Sequence, residues 1–357
     1  MENQIERFGC MPDRPLISIV IVNYNGAGWL PKCLESIKTQ TIFSRIETIV
    51  VDNHSTDDSL AAARRLLVDF PMAGIVQSGE NLGFCEGNNV GARAASGKYV
   101  FFLNPDAWLE ADCMEQLATE TEKAAAAAAT PWVLNYLDDT HQDLGFFGFD
   151  MFGLCSASAP RRETREIFSP TGCSYLINAN VFKQVGMFDR RFFMYSEEVD
   201  LSWRVWIAGG RIIGVPRARA HHRGAVNANP TGGASVVEFR TTDQKRFLSN
   251  RNCLLTLLKN AQHVLLLAVV PLTLLLLVEG LAGSLLLRRW SFARAAFLDV
   301  MRDCWRLRGH VRQQRKMIAA FRQRSDFWML RFFKLRLNRW DEVKRAFKFG
   351  LPHVDAR

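Results

Sequence analysis

The chain has no Cys-x-x-Cys pair; its eight cysteines are scattered over 357 residues. That excludes a zinc ribbon and argues against a disulfide framework, so a reducing, cytosolic setting is expected. The N-terminal MENQIERFGCMPDRP contains no apolar run, and no secretory leader is expected there. Two nucleotide motifs are also missing. Gly26-Ala27-Gly28 follows an apolar run, but Pro31 holds the third glycine position of a dinucleotide fingerprint. GARAASGK (91–98) has five residues between its glycines rather than four, and Tyr99 stands where Ser or Thr belongs. It also precedes a strand, whereas a phosphate loop follows one.

Positive charge is scarce outside the C-terminal fifth. Residues 288–357 hold 19 Lys+Arg against 6 Asp+Glu, whereas residues 1–287 hold 26 against 30. Before the basic tail comes the most apolar stretch, AQHVLLLAVVPLTLLLLVEGLAGSLLL (261–287), with no charge from Ala261 to Val278. An acidic head, an apolar segment and a basic tail suit work at a membrane surface.

Hydrophobic patterning makes the first 125 residues α/β. LISIVIV (16–22), IETIVV (46–51), Gly74–Val76 and Tyr99–Leu103 read as strands, the first buried on both faces. Between them, Trp29, Leu30, Cys33, Leu34 and Ile37 share one helical face. Further helices are expected at 58–68, 88–95 and 111–125. Four strand–helix alternations predict a largely parallel sheet. Each strand ends on polar residues: Asn23 to Asn25, Asp52-Asn53, Asn81 and Asn104 to Asp106. In open α/β sheets, ligands bind outside the carboxyl ends of the strands. The run FFLNPDAWLE stops a buried strand on Asn104-Pro105-Asp106. An acceptor-only carboxylate there suits a hard divalent cation that bridges a diphosphate.

Farther on, YSEEVDLSWR (195–204) concentrates Glu197, Glu198 and Asp200 at a helix start. Helix-dipole complementarity accounts for such a cluster. So does a general base, because crowded carboxylates raise one another's proton affinity.

These pieces together resemble family 2 glycosyltransferases with the nucleotide-diphospho-sugar transferase A (GT-A) fold, in the bacterial rhamnosyltransferase-like branch. The matching segments are SIVIVNYNG (18–26), IVVDNHSTDDS (49–59), NLGFCEGNNVG (81–91), FFLNPDA (101–107), TGCSYLIN (171–178) and GMFDRRFFMYSEEVDLSWR (186–204). The resemblance implies a GT-A fold with a mostly parallel central sheet, followed by a membrane-associated helical region. It implies an N-terminal extension (1–15), a transferase unit (16–240, with a nucleotide half 16–125 and an acceptor half 126–240) and a C-terminal region (241–357). Asn23, Tyr24, Asn25 and Asp52 would lie near the base and ribose. Asn81, Gly83 and Asn88 would wrap the ribose and diphosphate, and Asn104 and Asp106 would stand for the family's Asp-x-Asp. A Mg²⁺ or Mn²⁺ ion would take Asp106 and one of His221 (first choice) or His222. Glu198 is the expected base, Asp200 the runner-up and Glu197 its neighbour in the acidic pair. Arg204 is expected to tie that helix to a carboxylate. Thr171, Gly172 and Asp189 would wall the donor sugar or acceptor.

The implied reaction is a single inverting displacement. The absence of Q-x-x-R-W, the mark of the family's processive synthases, implies one sugar per encounter. The branch implies dTDP-rhamnose as donor and a lipid-linked or cell-envelope glycan as acceptor, at the cytoplasmic face of the inner membrane. UDP-galactose or UDP-N-acetylglucosamine is the alternative donor, and a non-catalytic membrane scaffold the alternative class. Residues 264–287 are expected as an interfacial or re-entrant helix pair broken near Pro271 or Glu279. FWMLRFFKLRLNRW (327–340) is expected on anionic lipid. Aromatics among basic residues also permit nucleic acid, but the neighbouring apolar segment favours lipid.

Overall fold

The computed structural model describes residues 5–9, 13–157, 162–224, 240–335, 344, 347 and 353–355. The strands are β1 (Ile5–Gly9), β2 (Ile17–Asn23), β3 (Ile46–Asp52), β4 (Met72–Gln77), β5 (Tyr99–Leu103), β6 (Ala107–Leu109) and β7 (Ala128–Asn135). They continue with β8 (His141–Asp143), β9 (Phe146–Phe149), β10 (Cys155–Ala157), β11 (Arg165–Glu166), β12 (Ser174–Asn178) and β13 (Ile212–His222). Among the described residues the central sheet has eleven strands, in the order β1-β4-β3-β2-β5-β12-β7-β13-β11, with β6 on β13 and β8 on β7. Strands β4, β3, β2 and β5 run parallel. Beyond β5 the sheet becomes mixed, because β12 runs against both β5 and β7.

Helices α1 (Leu30–Lys38), α2 (Ser59–Leu67), α3 (Gly83–Ala94), α4 (Cys113–Lys123), α5 (Ala179–Gln184) and α6 (Glu197–Ile207) flank the sheet. Along β2, Ile17, Ile19 and Ile21 point into the core with α1, α2 and α4, whereas Val20 points to the opposite core. Burial on both faces explains the unbroken β-branched run. Fully burying each such side chain contributes roughly 1.5–3 kcal/mol.

The expected short helix at 88–95 is longer, beginning at Gly83. Asn81 Oδ1 accepts from Gly83 N at 2.9 Å, and Asn53 Oδ1 accepts from Leu82 N at 2.8 Å, so side chains satisfy the amides at its start. Gly87 and Gly91 face the sheet: a side chain on Gly87 would meet Val22 Cγ1 at 2.8 Å, and one on Gly91 would collide with Val20. They bring a helix close to a strand rather than backbone close to a ligand.

Among the described residues six further α-helices follow: α7 (Asp243–Asn260), α8 (His263–Leu286), α9 (Trp290–Ala293), α10 (Asp299–Arg306), α11 (Arg308–Phe321) and α12 (Asp326–Met329). α8 runs unbroken through Pro271, where a broken pair was expected. Packing holds it on both sides of the proline: Leu265, Val269 and Val270 before, Leu277 after. Thr273 Oγ1 donates to Phe152 O at 2.9 Å, pinning α8 to the preceding α/β unit. Its mean hydropathy reaches 2.6, and it is long and apolar enough to cross a membrane by length and composition. One face is buried. On the other, Leu267 is 80% exposed and Leu286 85%.

Much of the C-terminal basic charge is spent inside the fold. Arg315 Nη1 donates to Leu258 O and Ala261 O, each at 2.7 Å, and Arg322 Nη2 to Asn260 O at 2.6 Å. Arg324 donates to Gly209 O and Gly210 O at the end of α6. Positively charged donors on terminal helix carbonyls satisfy groups that no intrahelical bond reaches. Of the expected 327–340 segment, residues 336–340 lie outside the described residues.

Candidate active site

The sheet register builds the first corner of the site. After β5 the chain turns at Asn104–Asp106, with Ala107 N donating to Asn104 O at 3.1 Å. β6 then pairs antiparallel with β13, setting Ala107 opposite His222 and Trp108 opposite His221. His222 Nε2 lies 3.4 Å from Asp106 Oδ1 and 3.4 Å from Asn104 Nδ2. Neighbouring strand residues point to opposite faces, so His221 turns away. It stacks on Trp108 with ring centroids 3.7 Å apart, and its Nε2 sits 3.1 Å from Glu110 Oε1. The second choice from sequence, His222, is the one beside Asp106.

His222 Nδ1 faces Gln142 Oε1 at 2.9 Å. Gln142 Oε1 accepts there, so Nδ1 carries a proton and Nε2 is the nitrogen that faces Asp106. Burial disfavours the charged imidazole, but Cys173 and Asp106 outweigh it and hold the pKa well above the ordinary value. A proton or a cation fits between Asp106 and His222, and metal binding at such a site would displace the proton. Among the described residues no group of three or more His, Cys, Asp or Glu is arranged to hold a metal. A carboxylate and an imidazole nevertheless suit a cation that draws its other ligands from a diphosphate and water.

The second corner is the start of α6. A side chain on Gly172 would lie 3.2 Å from Glu197 Oε1 and 3.8 Å from Glu198 Oε2, so Thr171-Gly172 runs directly against the acidic pair. The next residue, Cys173, accepts at its carbonyl from Asn104 N at 3.0 Å. Segment 171–173 therefore links the pair to the Asp106 corner. Burial, with Asp143 nearby, pushes Glu198 up to about 7. Burial and then Glu198 push Glu197 well above the carboxylate range, and its Oε2 is buried without a partner. Burial lifts Asp143 to about 6.

Asp200 and Asp189 are corrections. Asp200 is fully buried, with Oδ2 2.8 Å from Arg204 Nη2 and 3.0 Å from Lys259 Nζ, and Oδ1 2.7 Å from Asn260 Nδ2. A carboxylate so saturated is a poor proton acceptor. Asp189 bonds Lys259 Nζ at 2.6 Å and His310 Nε2 at 2.8 Å, so it anchors the C-terminal helices rather than facing the sugar wall.

The nucleotide end expected from sequence falls at the carboxyl ends of β2 and β3. Asn23 and Asp52 are register partners there. Asp52 Oδ1 is buried without a partner, an acceptor a ligand hydroxyl or imide would satisfy. Tyr24 is 52% exposed and free to offer its ring. Asn25 adopts φ +52° and its Oδ1 accepts from Thr56 N at 2.8 Å, bracing the loop. Three residues expected to touch the ligand turn inward. Asn23 donates to Ser59 Oγ at 2.7 Å, with Gly26 packed over its Oδ1. Gly83 is at φ +72° against the Phe193 ring, and Asn88 donates to Phe84 O inside α3. Sequence reasoning missed Gln142 and Asp143, which lie in β8, a short strand that carries no motif.

Residues 18–200 match the profile of glycosyl transferase family 2. The chain belongs to that family. It is 35% identical over 138 residues to "Glycosyltransferase GlyA" of Streptococcus pneumoniae, covering 38% of this chain and 19% of that protein. It is 28% identical over 201 residues to the hexosyltransferase Agl10 of Haloferax volcanii, covering 53% and 61%. The family 2 chain thus spans less than two thirds of both relatives. Against the rhamnosyltransferase WbbL of Escherichia coli it is 27% identical over 265 residues, covering 66% of this chain and 96% of that one. Its fold is that of Staphylococcus aureus TarS 1-349 in complex with UDP, with a TM-score of 0.52 and 14% identity over 86% of this chain and 88% of that one. GalNAc-T7, crystallised with UDP, GalNAc and Mn²⁺, gives a TM-score of 0.52 at 17% identity, covering 58% and 43%.

Proposed function

We propose that this family 2 chain transfers a single sugar from a nucleotide-sugar donor to a hydroxyl acceptor, with inversion and with a divalent cation. The observation that carries it is the acidic pair Glu197–Glu198 packed against Thr171-Gly172, one residue from the contact that leads to Asp106 and His222. Tyr24 and Asp52 meet the base or ribose at the far end of the same sheet edge.

Glu198 is the base, because its raised proton affinity near pH 7 matches the work of taking a hydroxyl proton. The acceptor oxygen forms a bond to the anomeric carbon as the bond from that carbon to the diphosphate oxygen breaks. The acceptor proton passes to Glu198, and the nucleoside diphosphate leaves. Asp106 and His222 would hold Mg²⁺ or Mn²⁺, which when bound supplies positive charge for the departing diphosphate.

For the donor we favour dTDP-rhamnose, supported by the near-full-length match to a protein named rhamnosyltransferase. UDP-sugars are the second reading, supported by the UDP held in two solved structures of like fold. A lipid-linked or envelope glycan is the proposed acceptor. The proposed division is a transferase unit of residues 16–240 and a C-terminal region of 241–357 that meets the cytoplasmic face of the membrane. The exposed side of α8 supports the latter, together with Trp290 and Trp305 exposed beside Arg289 and Arg306. Release of nucleoside diphosphate from a donor panel, with Glu198→Gln and Asp106→Asn variants, tests the reading.

A further inference from the structure

The loop just before the acidic pair is strained. Phe193, Tyr195 and Ser196 adopt φ of +64°, +74° and +63°, though none is glycine. Such conformations cost about 1–3 kcal/mol each and persist only where surroundings over-determine them. The holding group comes from α7. Asn252, fully buried, donates from Nδ2 to Phe192 O at 2.9 Å and to Met194 O and Tyr195 O at 2.8 Å. Its Oδ1 accepts from Arg251 Nε at 3.0 Å, and Arg251 Nη2 donates to Arg191 O at 2.7 Å. Seven residues on, two helical turns and the same face, Lys259 ties Asp189 and Asp200, which bracket this loop. On its other side, Cys85 N at the start of α3 donates to Phe193 O at 3.0 Å.

We infer that Asn252, oriented by Arg251, is a positioning residue of the transferase. It holds the carbonyls of Phe192, Met194 and Tyr195 in the left-handed turn that sets Glu197 and Glu198 against Thr171-Gly172. The C-terminal helices thereby complete the active site instead of serving only as an attachment. The kinetic part of this inference rests on Glu198 being the base.

The test compares wild type, Asn252→Leu, Asn252→Asp and Arg251→Met in the full chain. Donor KM and kcat, the pH profile of kcat and amide hydrogen exchange over 192–198 are measured. Asn252→Leu is expected to lower kcat about 10- to 100-fold, the cost of an ångström-scale misplacement. Donor KM stays within about threefold, since the nucleotide end is untouched. The acidic limb of kcat moves below its wild-type position as water reaches the released pair. Exchange speeds up at 192–198 and stays slow in β2 and β5. Arg251→Met, which loses only the orienting partner, gives an intermediate effect and decides the matter if the Asn252 variants do not fold. Wild-type kcat and pH limb in any of these variants overturns the inference. So does parallel loss of kcat and donor binding with fast exchange throughout, which makes Asn252 a residue of the fold in general. Glu198→Gln with wild-type kcat sinks the base assignment alone, because the exchange measurement still judges the clamp.

Discussion

Asp106 Oδ1 and His222 Nε2 face each other across 3.4 Å, brought together by the β6–β13 register. Gln142, behind the imidazole, fixes its tautomer. Removing Gln142 leaves both proposed ligands present but one misoriented. Gln142→Ala is expected to lower Mn²⁺ affinity roughly 10- to 100-fold, read by calorimetry with donor nucleotide present. Asp106→Asn removes the only carboxylate and abolishes detectable binding.

The acidic pair sets a pH dependence. As the proposed base Glu198 acts only when ionised, and burial pushes its pKa up to about 7. Turnover therefore falls about tenfold per unit as pH drops below 7. Glu198→Gln lowers kcat roughly 10²- to 10⁴-fold, leaves donor KM little changed and erases that limb. A pH–rate series on both proteins checks it.

Acid stability follows from the buried ionic cluster. Burial raises Asp189 and Asp200, but Lys259 outweighs it in both, aided by His310 at Asp189 and Arg204 at Asp200; both are held below the usual range. Groups with depressed pKa values contribute stability that is complete above the unfolded value near 3.9 and lost as pH falls through the folded value. Resistance to denaturant should weaken below about pH 4. Lys259→Met removes the cation shared by two buried carboxylates and is expected to cost about 3–5 kcal/mol.

Close helix–strand contact gives a third stability prediction. Gly91 leaves no room for a methyl group against Val20. Gly91→Ala should destabilise by about 1–3 kcal/mol through overpacking, although alanine favours helix. Gly28→Ala, with open space around its position, serves as the control.

The parallel strands, the helix faces of α1 and α2 and the polar strand ends were legible in sequence because hydrophobic period and turn chemistry are local signals. The Asn104–Asp106 corner and the acidic pair were legible for the same reason. Side-chain direction was not. Which of two adjacent histidines enters the site depends on a pairing between residues over a hundred positions apart. The burial of Asp200 could not be read either, since its partner Lys259 arrives from a helix with no motif. Nor could the roles of Arg315, Arg322 and Arg324, which composition assigned to lipid and the fold places on backbone carbonyls.

The exposed face of α8 predicts lipid binding that screening weakens. Residues Trp290 and Trp305 are 65% and 69% exposed. A Trp290→Ser, Trp305→Ser variant should co-sediment less with vesicles of anionic lipid than wild type, and raised salt should reduce binding of both.

The most direct test of the account is nucleoside diphosphate release by the full chain, given Mn²⁺ and a panel of nucleotide-sugars, beside Asp106→Asn and Glu198→Gln. The account predicts release from a nucleotide-sugar by wild type and its loss in both variants. Release at wild-type rates by either variant, or no donor binding by wild type in calorimetry, would contradict it.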